Sequence, residues 1–292
     1  MKNAYSFLLF SCLMMFVNQG MAQPYLDLIN ARLTNSPKAG IITWNKEKIK
    51  LSYYNVSTTI PFLFRNKQDA VIVSPFFEKW QFELADKNEE HHYYGLALPI
   101  SFLKQINLKY SILITGILRM NDSSAGFTMK QQVGGAIIAS YKKRENLTFK
   151  FGAYVNGEYF GLFIMPLLGI DWQINDKDWV FGVLPGSLTY QHLFAKKVGY
   201  GIAFRAQTNS YNRPAGKYTR IDENQLGSFV DIYLSKNIVL NAETGHSFFR
   251  KIRTDQIHPC VNGNCDQKYY DYDVNDNFYY KLSLAYRISF RK

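Results

Sequence analysis

Beyond its first two dozen residues the chain has no uninterrupted apolar run of the roughly 18 residues that a membrane helix needs. The best candidate, residues 160–172, is too short and holds Pro166 and two glycines. Helical periodicity is scarce throughout, which leaves little from which to build a helical fold. Histidine is also scarce: His91, His92, His192, His246 and His258 are all there are. A hydrolytic site needs a nucleophile or a water activated by histidine with an orienting partner. His246 and Ser247 adjoin Glu243, but neighbours on a strand point to opposite faces, so His246 cannot activate Ser247 in place. No catalytic set is expected, and a lipid-modifying barrel enzyme is the weakest of the functional alternatives.

Only three cysteines occur, and Cys12 lies in the apolar start of the chain. The other two, Cys260 and Cys265, enclose the turn-prone Val261-Asn262-Gly263-Asn264. In an oxidising compartment this pair is expected to close into a disulfide that staples an external loop. A metal site would need more ligands than the nearby His258 supplies, so neither a metal nor any other cofactor is expected. Acidic residues are outnumbered, 23 Asp and Glu against 34 Lys and Arg, for a formal charge of +11. In an exported chain, lipopolysaccharide phosphates or anionic solutes are the expected counterparts of this charge, not nucleic acid.

Export follows from residues 1–22. Lys2 precedes the apolar stretch 7–17, and Gly20-Met21-Ala22 offers small residues where a signal peptidase cleaves. The remaining residues 23–292 suffice for one large domain or barrel. They are rich in aromatics: the whole sequence has 21 Tyr and 22 Phe.

The most informative stretch is the last. Phe278, Tyr280, Leu282, Leu284, Tyr286, Ile288 and Phe290 alternate with Tyr279, Lys281, Ser283, Ala285, Arg287 and Ser289. A period of two puts the sets on opposite faces of one strand long enough to cross a membrane at a tilt. Similar alternation occupies residues 106–115, 147–156, 198–209 and 238–243. Recurring strands of this kind are the signature of a transmembrane β-barrel. The pattern Tyr286-x-Ile288-x-Phe290 looks like the C-terminal signal read by the barrel-insertion machinery, although Arg291 and Lys292 follow it.

Short polar connections at 66–69, 142–146, 175–178, 195–197 and 235–237 alternate with longer ones at 34–47, 85–92, 119–126, 211–223 and 252–276. Short turns belong in the periplasm and long loops outside. The alternation is consistent from end to end if residues 25–33 form a first strand and 178–194 hold two strands broken near Pro185-Gly186. The expected fold is therefore an all-β, antiparallel up-and-down transmembrane barrel of twelve to fourteen strands, with fourteen preferred.

The residues Pro166-Leu167-Leu168-Gly169-Ile170-Asp171-Trp172-Gln173-Ile174-Asn175-Asp176-Lys177, then Leu184-Pro185 and Tyr190, carry a resemblance. The chain resembles a family of uncharacterised outer-membrane barrels of Gram-negative bacteria with a PLLGIDW-x-IND stretch. The resemblance extends over most of the mature chain and implies the fold and an outer-membrane location, with no assigned activity. Physically, Asn175-Asp176 reads as a turn, with the rings of Trp172 and Trp179 expected at one membrane interface.

Function is expected on the polar strand faces. Lys109, Arg119, Lys130, Lys150, Arg205, Lys281 and Arg287, against Asp231 and Glu243, are expected to line the lumen. A barrel lined in this way suits a passive pore for small solutes, anions in particular. The alternatives are charges that pair across a closed lumen, or a non-conducting barrel whose loops bind a ligand or a surface partner. The expected partners are outer-membrane lipids, lipopolysaccharide and the insertion machinery. Nothing in the strands marks an oligomer interface.

Overall fold

The computed structural model describes residues 24–41, 48–66, 68–84, 89–123, 130–256 and 270–290. The expected signal peptide, residues 1–22, and the expected Cys260–Cys265 disulfide lie outside the described residues. In chain order the strands are β1 (Tyr25–Gly40), β2 (Lys48–Thr58), β3 (Ile60–Leu63), β4 (Ala70–Val73), β5 (Phe76–Leu84), β6 (Glu89–Gln105), β7 (Tyr110–Asp122), β8 (Gln131–Arg144) and β9 (Leu147–Glu158). They continue with β10 (Gly161–Gln173), β11 (Asp178–Leu184), β12 (Ser187–Ala195), β13 (Val198–Arg213), β14 (Lys217–Tyr233), β15 (Ile238–Gln256), β16 (Tyr270–Val274) and β17 (Asn277–Ser289).

Three crossings are interrupted: β2 with β3, β4 with β5, and β16 with β17 each make one pass, which leaves fourteen. Each pass pairs antiparallel with the next, and β1 pairs with β17 from Tyr25↔Ser289 to Asn35↔Tyr280 to close the sheet. Closure removes the free edges that lipid cannot satisfy wherever neighbouring passes pair along their length. The chain is a fourteen-stranded transmembrane β-barrel.

The last strand shows how the alternation fixes the wall. Phe278, Tyr280, Leu282, Leu284 and Tyr286 face outward and are exposed, while Tyr279, Lys281, Ala285 and Arg287 face inward and are buried. Outward apolar residues form a belt around the barrel, among them Val56, Phe102, Ile137, Phe151, Ile164, Ile202 and Val230. In water such a belt would cost about 25 cal/mol per Å² of apolar surface; in hydrocarbon that cost vanishes. Aromatic side chains edge the belt, as in the stacked Tyr110–Tyr141 pair with ring centroids 5.2 Å apart.

Several expected loops are strand instead. β1 runs to Gly40, β13 to Arg213, and β14 resumes at Lys217, so the 211–223 segment is a hairpin with a three-residue tip. These extensions rise past the belt, and their inner faces pack like a soluble barrel. Leu51, Tyr53, Trp80, Phe82, Tyr93, Tyr211, Ile221 and Ile252 belong to one buried apolar cluster inside the outer end.

The strand expected to begin at residue 106 starts at Tyr110, because the Asn107 side-chain oxygen accepts the amides of Lys109 and Tyr110 at 2.8 and 3.0 Å and makes a turn. Trp172 faces outward, but Trp179 is buried and faces inward. The turn between them is four residues long, and the two rings fall on opposite sides of the wall. They do not anchor one interface together.

Candidate functional site

The interior is organised by charge pairs contributed from different strands. Nearest the chain termini, Arg287 Nε donates to Asp27 Oδ1 at 2.6 Å and its Nη1 to Asp231 Oδ2 at 2.7 Å. Gln191 and Asn241 also donate to Asp231, at 2.8 and 2.7 Å. Higher in the barrel, Glu243 accepts from Arg205, from Lys281 and, at 2.6 Å, from the Tyr279 hydroxyl. Buried ions need such partners, because low dielectric makes an unpaired charge costly.

Two more carboxylates hold the overhanging β13–β14 tip. Glu78 accepts the hydroxyls of Tyr53 at 2.9 Å and Tyr211 at 2.7 Å, and the Asn209 amide at 3.1 Å. Glu158 accepts from Gln132 at 2.7 Å, Asn156 at 2.6 Å and the Ser210 backbone at 3.1 Å. Arg119 joins the two groups, donating to Asn209 at 2.7 Å with Glu158 4.0 Å away. The tip also meets the far wall through the backbone, where the Ser123 amide donates to the Asn212 carbonyl at 2.9 Å.

The sequence-derived lining residues therefore divide. Arg119, Lys150, Arg205, Asp231, Glu243, Lys281 and Arg287 project inward from spanning strands. Lys109 lies in the 106–109 turn and Lys130 just ahead of β8, both exposed, so neither joins the interior networks. The positive excess on the inner face does not persist. Asp27, Glu78, Glu158, Asp171 and Glu223 also face inward, and Lys150 pairs with Asp171 at 2.6 Å and Arg250 with Glu223 at 2.9 Å.

A bulge between Asp27 and Ile29 hides Asp27 by breaking the alternation. Glu78 sits among Phe76, Trp80 and Phe82, where apolar periodicity argues for the opposite face. His246 is exposed and stacks edge-on with Phe278, while Ser247 is buried inside.

Below the tip a cavity of about 340 Å³ crosses the barrel. One end meets Arg32, Tyr53 and Asn55 on β1 and β2; the other meets Phe163, Met165, Pro185 and Gly186. Arg32 was not singled out from sequence, although Asn30, Arg32, Thr34 and Ser36 form a polar face at period two. Its guanidinium donates to the Tyr53 hydroxyl at 3.1 Å and lies 5.0 Å from that ring's centre. Its Nε is buried without a hydrogen-bond partner. Among the described residues no carboxylate comes within ion-pair distance of Arg32, whereas Arg119, Lys150, Arg205, Arg250, Lys281 and Arg287 each have one.

Residues 46–287 match the family model described as "Domain of unknown function (DUF6268)", a span that contains the 166–177 stretch. No curated protein matches the chain. Among solved structures, the chain is similar to a KdgM porin at 8% identity and a TM-score of 0.38, covering 88% of this chain and 98% of that one. The P. putida toluene transporter TodX gives 10% identity and a TM-score of 0.40, covering 92% and 93%. The translocator domain of autotransporter NalP from Neisseria meningitidis gives 10% identity and a TM-score of 0.38, covering 98% of each chain. Likenesses at this level carry no functional argument.

Proposed function

We propose, for a chain that belongs to the DUF6268 family and takes no assigned activity from it, that this protein resides in a Gram-negative outer membrane. There it holds a small anionic molecule in its interior, at Arg32, as a station on a gated passage. The location is supported by the closed barrel, its apolar belt and the exported character of the sequence.

One observation carries the binding reading: among the described residues, Arg32 is the inward cation facing a cavity without a carboxylate partner. A guanidinium so placed matches a carboxylate or phosphate. The passage is gated because the apolar cluster around Tyr53, Trp80, Tyr93 and Tyr211 fills the outer end. Transit through the outer end itself requires the β13–β14 tip to move.

The test has two parts. Purified protein in a planar bilayer should give no steady current at low voltage, with brief anion-preferring openings at higher voltage. Small carboxylates should bind the wild type and bind R32Q about tenfold more weakly, as expected for the loss of one charge-assisted contact. A steadily open wild-type pore, or anion binding indifferent to R32Q, would overturn the reading.

A further inference from the structure

The barrel wall is incomplete above the β11–β12 hairpin. β11 pairs with β10 only along residues 168–173 of β10, and β12 pairs with β13 only along residues 198–205 of β13. One further bond runs from the Ala206 amide to the Gly186 carbonyl at 3.0 Å. Residues 161–167 of β10 and 207–213 of β13 therefore have no strand between them, though each segment pairs on its other side, with β9 and β14. Two missing strands leave roughly 14 Å between the flanking backbones at the level of the hairpin.

The opening has a defined frame. Pro185 and Gly186 form its sill. Its top is closed where the Tyr159 amide donates to Ser210 Oγ at 2.9 Å and the Arg220 guanidinium lies 4.3 Å from the centre of the Phe160 ring. It faces lipid: Leu162, Ile164 and Leu168 beside it point outward and are 70%, 64% and 59% exposed. The cavity reaches this frame, since Phe163, Met165, Pro185 and Gly186 line it together with Arg32 on the far wall.

We propose that this gap is a lateral doorway between the cavity and the outer leaflet, and that the ligand is a single-chain anionic amphiphile. The proposal rests on the interior-binding reading above and adds the route and the ligand class. The head group pairs with Arg32, and the chain lies along Phe163 and Met165 toward the hydrocarbon. A wholly polar anion is a poor fit to such a doorway, because crossing lipid would strip its hydration. The apolar packing of the outer end leaves the side wall as the direct way out.

The experiment uses the full-length protein in lipid nanodiscs. Spin labels are placed one at a time at M165C, at the inward control I138C and at the lipid-facing control I164C, with C12S, C260S and C265S to leave one reactive site. Dissolved oxygen should reach the label at 165 nearly as well as that at 164, and far better than that at 138. In parallel, titration calorimetry against empty nanodiscs compares dodecanoate with acetate. Dodecanoate should bind at least tenfold more tightly than acetate and lose about tenfold in R32Q. A label at 165 that oxygen cannot reach overturns the lateral route, whichever ligand binds. Equal binding of acetate and dodecanoate overturns the amphiphile while leaving interior anion binding in place. If neither ligand binds, the interior-binding reading falls and the doorway proposal with it.

Discussion

The hydroxyl of Tyr211, on the overhanging β13–β14 hairpin, donates to Glu78 Oε1 on β5 at 2.7 Å, and both residues are buried. This bond ties the tip to the wall it closes against. Glu78 keeps two other donors, Tyr53 and Asn209, so removing the hydroxyl alone is mild. Y211F should loosen the tip by about 1 kcal/mol. Y211A also removes an aromatic from the apolar cluster and should weaken docking by about 3–5 kcal/mol. The expected result is frequent channel openings in Y211A, rare ones in Y211F and fewest in the wild type, counted in single-channel records.

Among the described residues, Glu243 is the single carboxylate shared by Arg205 and Lys281. E243A leaves two inward cations without their acid and should cost about 3–5 kcal/mol. Y279F removes only one neutral donor to the same carboxylate and should cost about 1 kcal/mol. Urea unfolding in lipid vesicles, followed by the shift of the folded band on unboiled gels, should separate the two by a wide margin. Equal losses would show that Glu243 is not the centre of its group.

The sill hairpin depends on Gly182, whose φ of +144° lies where side chains are rarely tolerated. A Cβ there would also collide with the Ser187 carbonyl oxygen and come 2.9 Å from Leu188 Cα. G182A should destabilise the β11–β12 hairpin by roughly 1–3 kcal/mol. Amide hydrogen exchange should show the loss confined to residues 178–195, with the β13–β14 pairing unchanged.

At the short turn between β3 and β4, Lys104 donates to Asp69 Oδ2 at 2.6 Å and the Gln105 amide to Oδ1 at 2.9 Å. Chiefly through the Lys104 bond, and then the Gln105 amide, the Asp69 carboxyl is held down to about 2, below its ordinary 3.8. A depressed folded pKa means that its contribution is complete above 3.8 and is lost as pH falls toward 2. Carbon NMR of the labelled Asp69 carboxyl should follow that titration. In K104M the midpoint should rise toward 3.8, and an unchanged midpoint would remove Lys104 as its cause.

What could be read in advance follows from how far each pattern is local. The inward and outward faces of β17 were legible because lipid demands apolar side chains at every second position, and thirteen residues repeat the demand. The two strands 178–194 were legible because short and long connections alternate from end to end only if the chain turns near Pro185-Gly186. Trp179 was misplaced because aromatic character alone does not tell an interface anchor from a lumen side chain. Lys109 was misplaced because a side-chain cap at Asn107 turns the chain inside a pattern that still alternates.

The sequence by itself determined a closed, antiparallel, lipid-facing barrel, since apolar periodicity and turn chemistry are local and the membrane enforces both. Only the tertiary structure decided what the interior is. Lys150, Arg250 and Arg287 each meet an acid from another strand, and Asp27 and Arg287 meet from opposite ends of the sequence. Beyond the belt, Trp80 and Phe82 turn inward because strand extensions bury apolar surface on one another in water. The cavity at Arg32 and the gap above Pro185 arise from unequal strand lengths around the ring. No single strand records that inequality, because it exists only once all fourteen passes are registered against their neighbours.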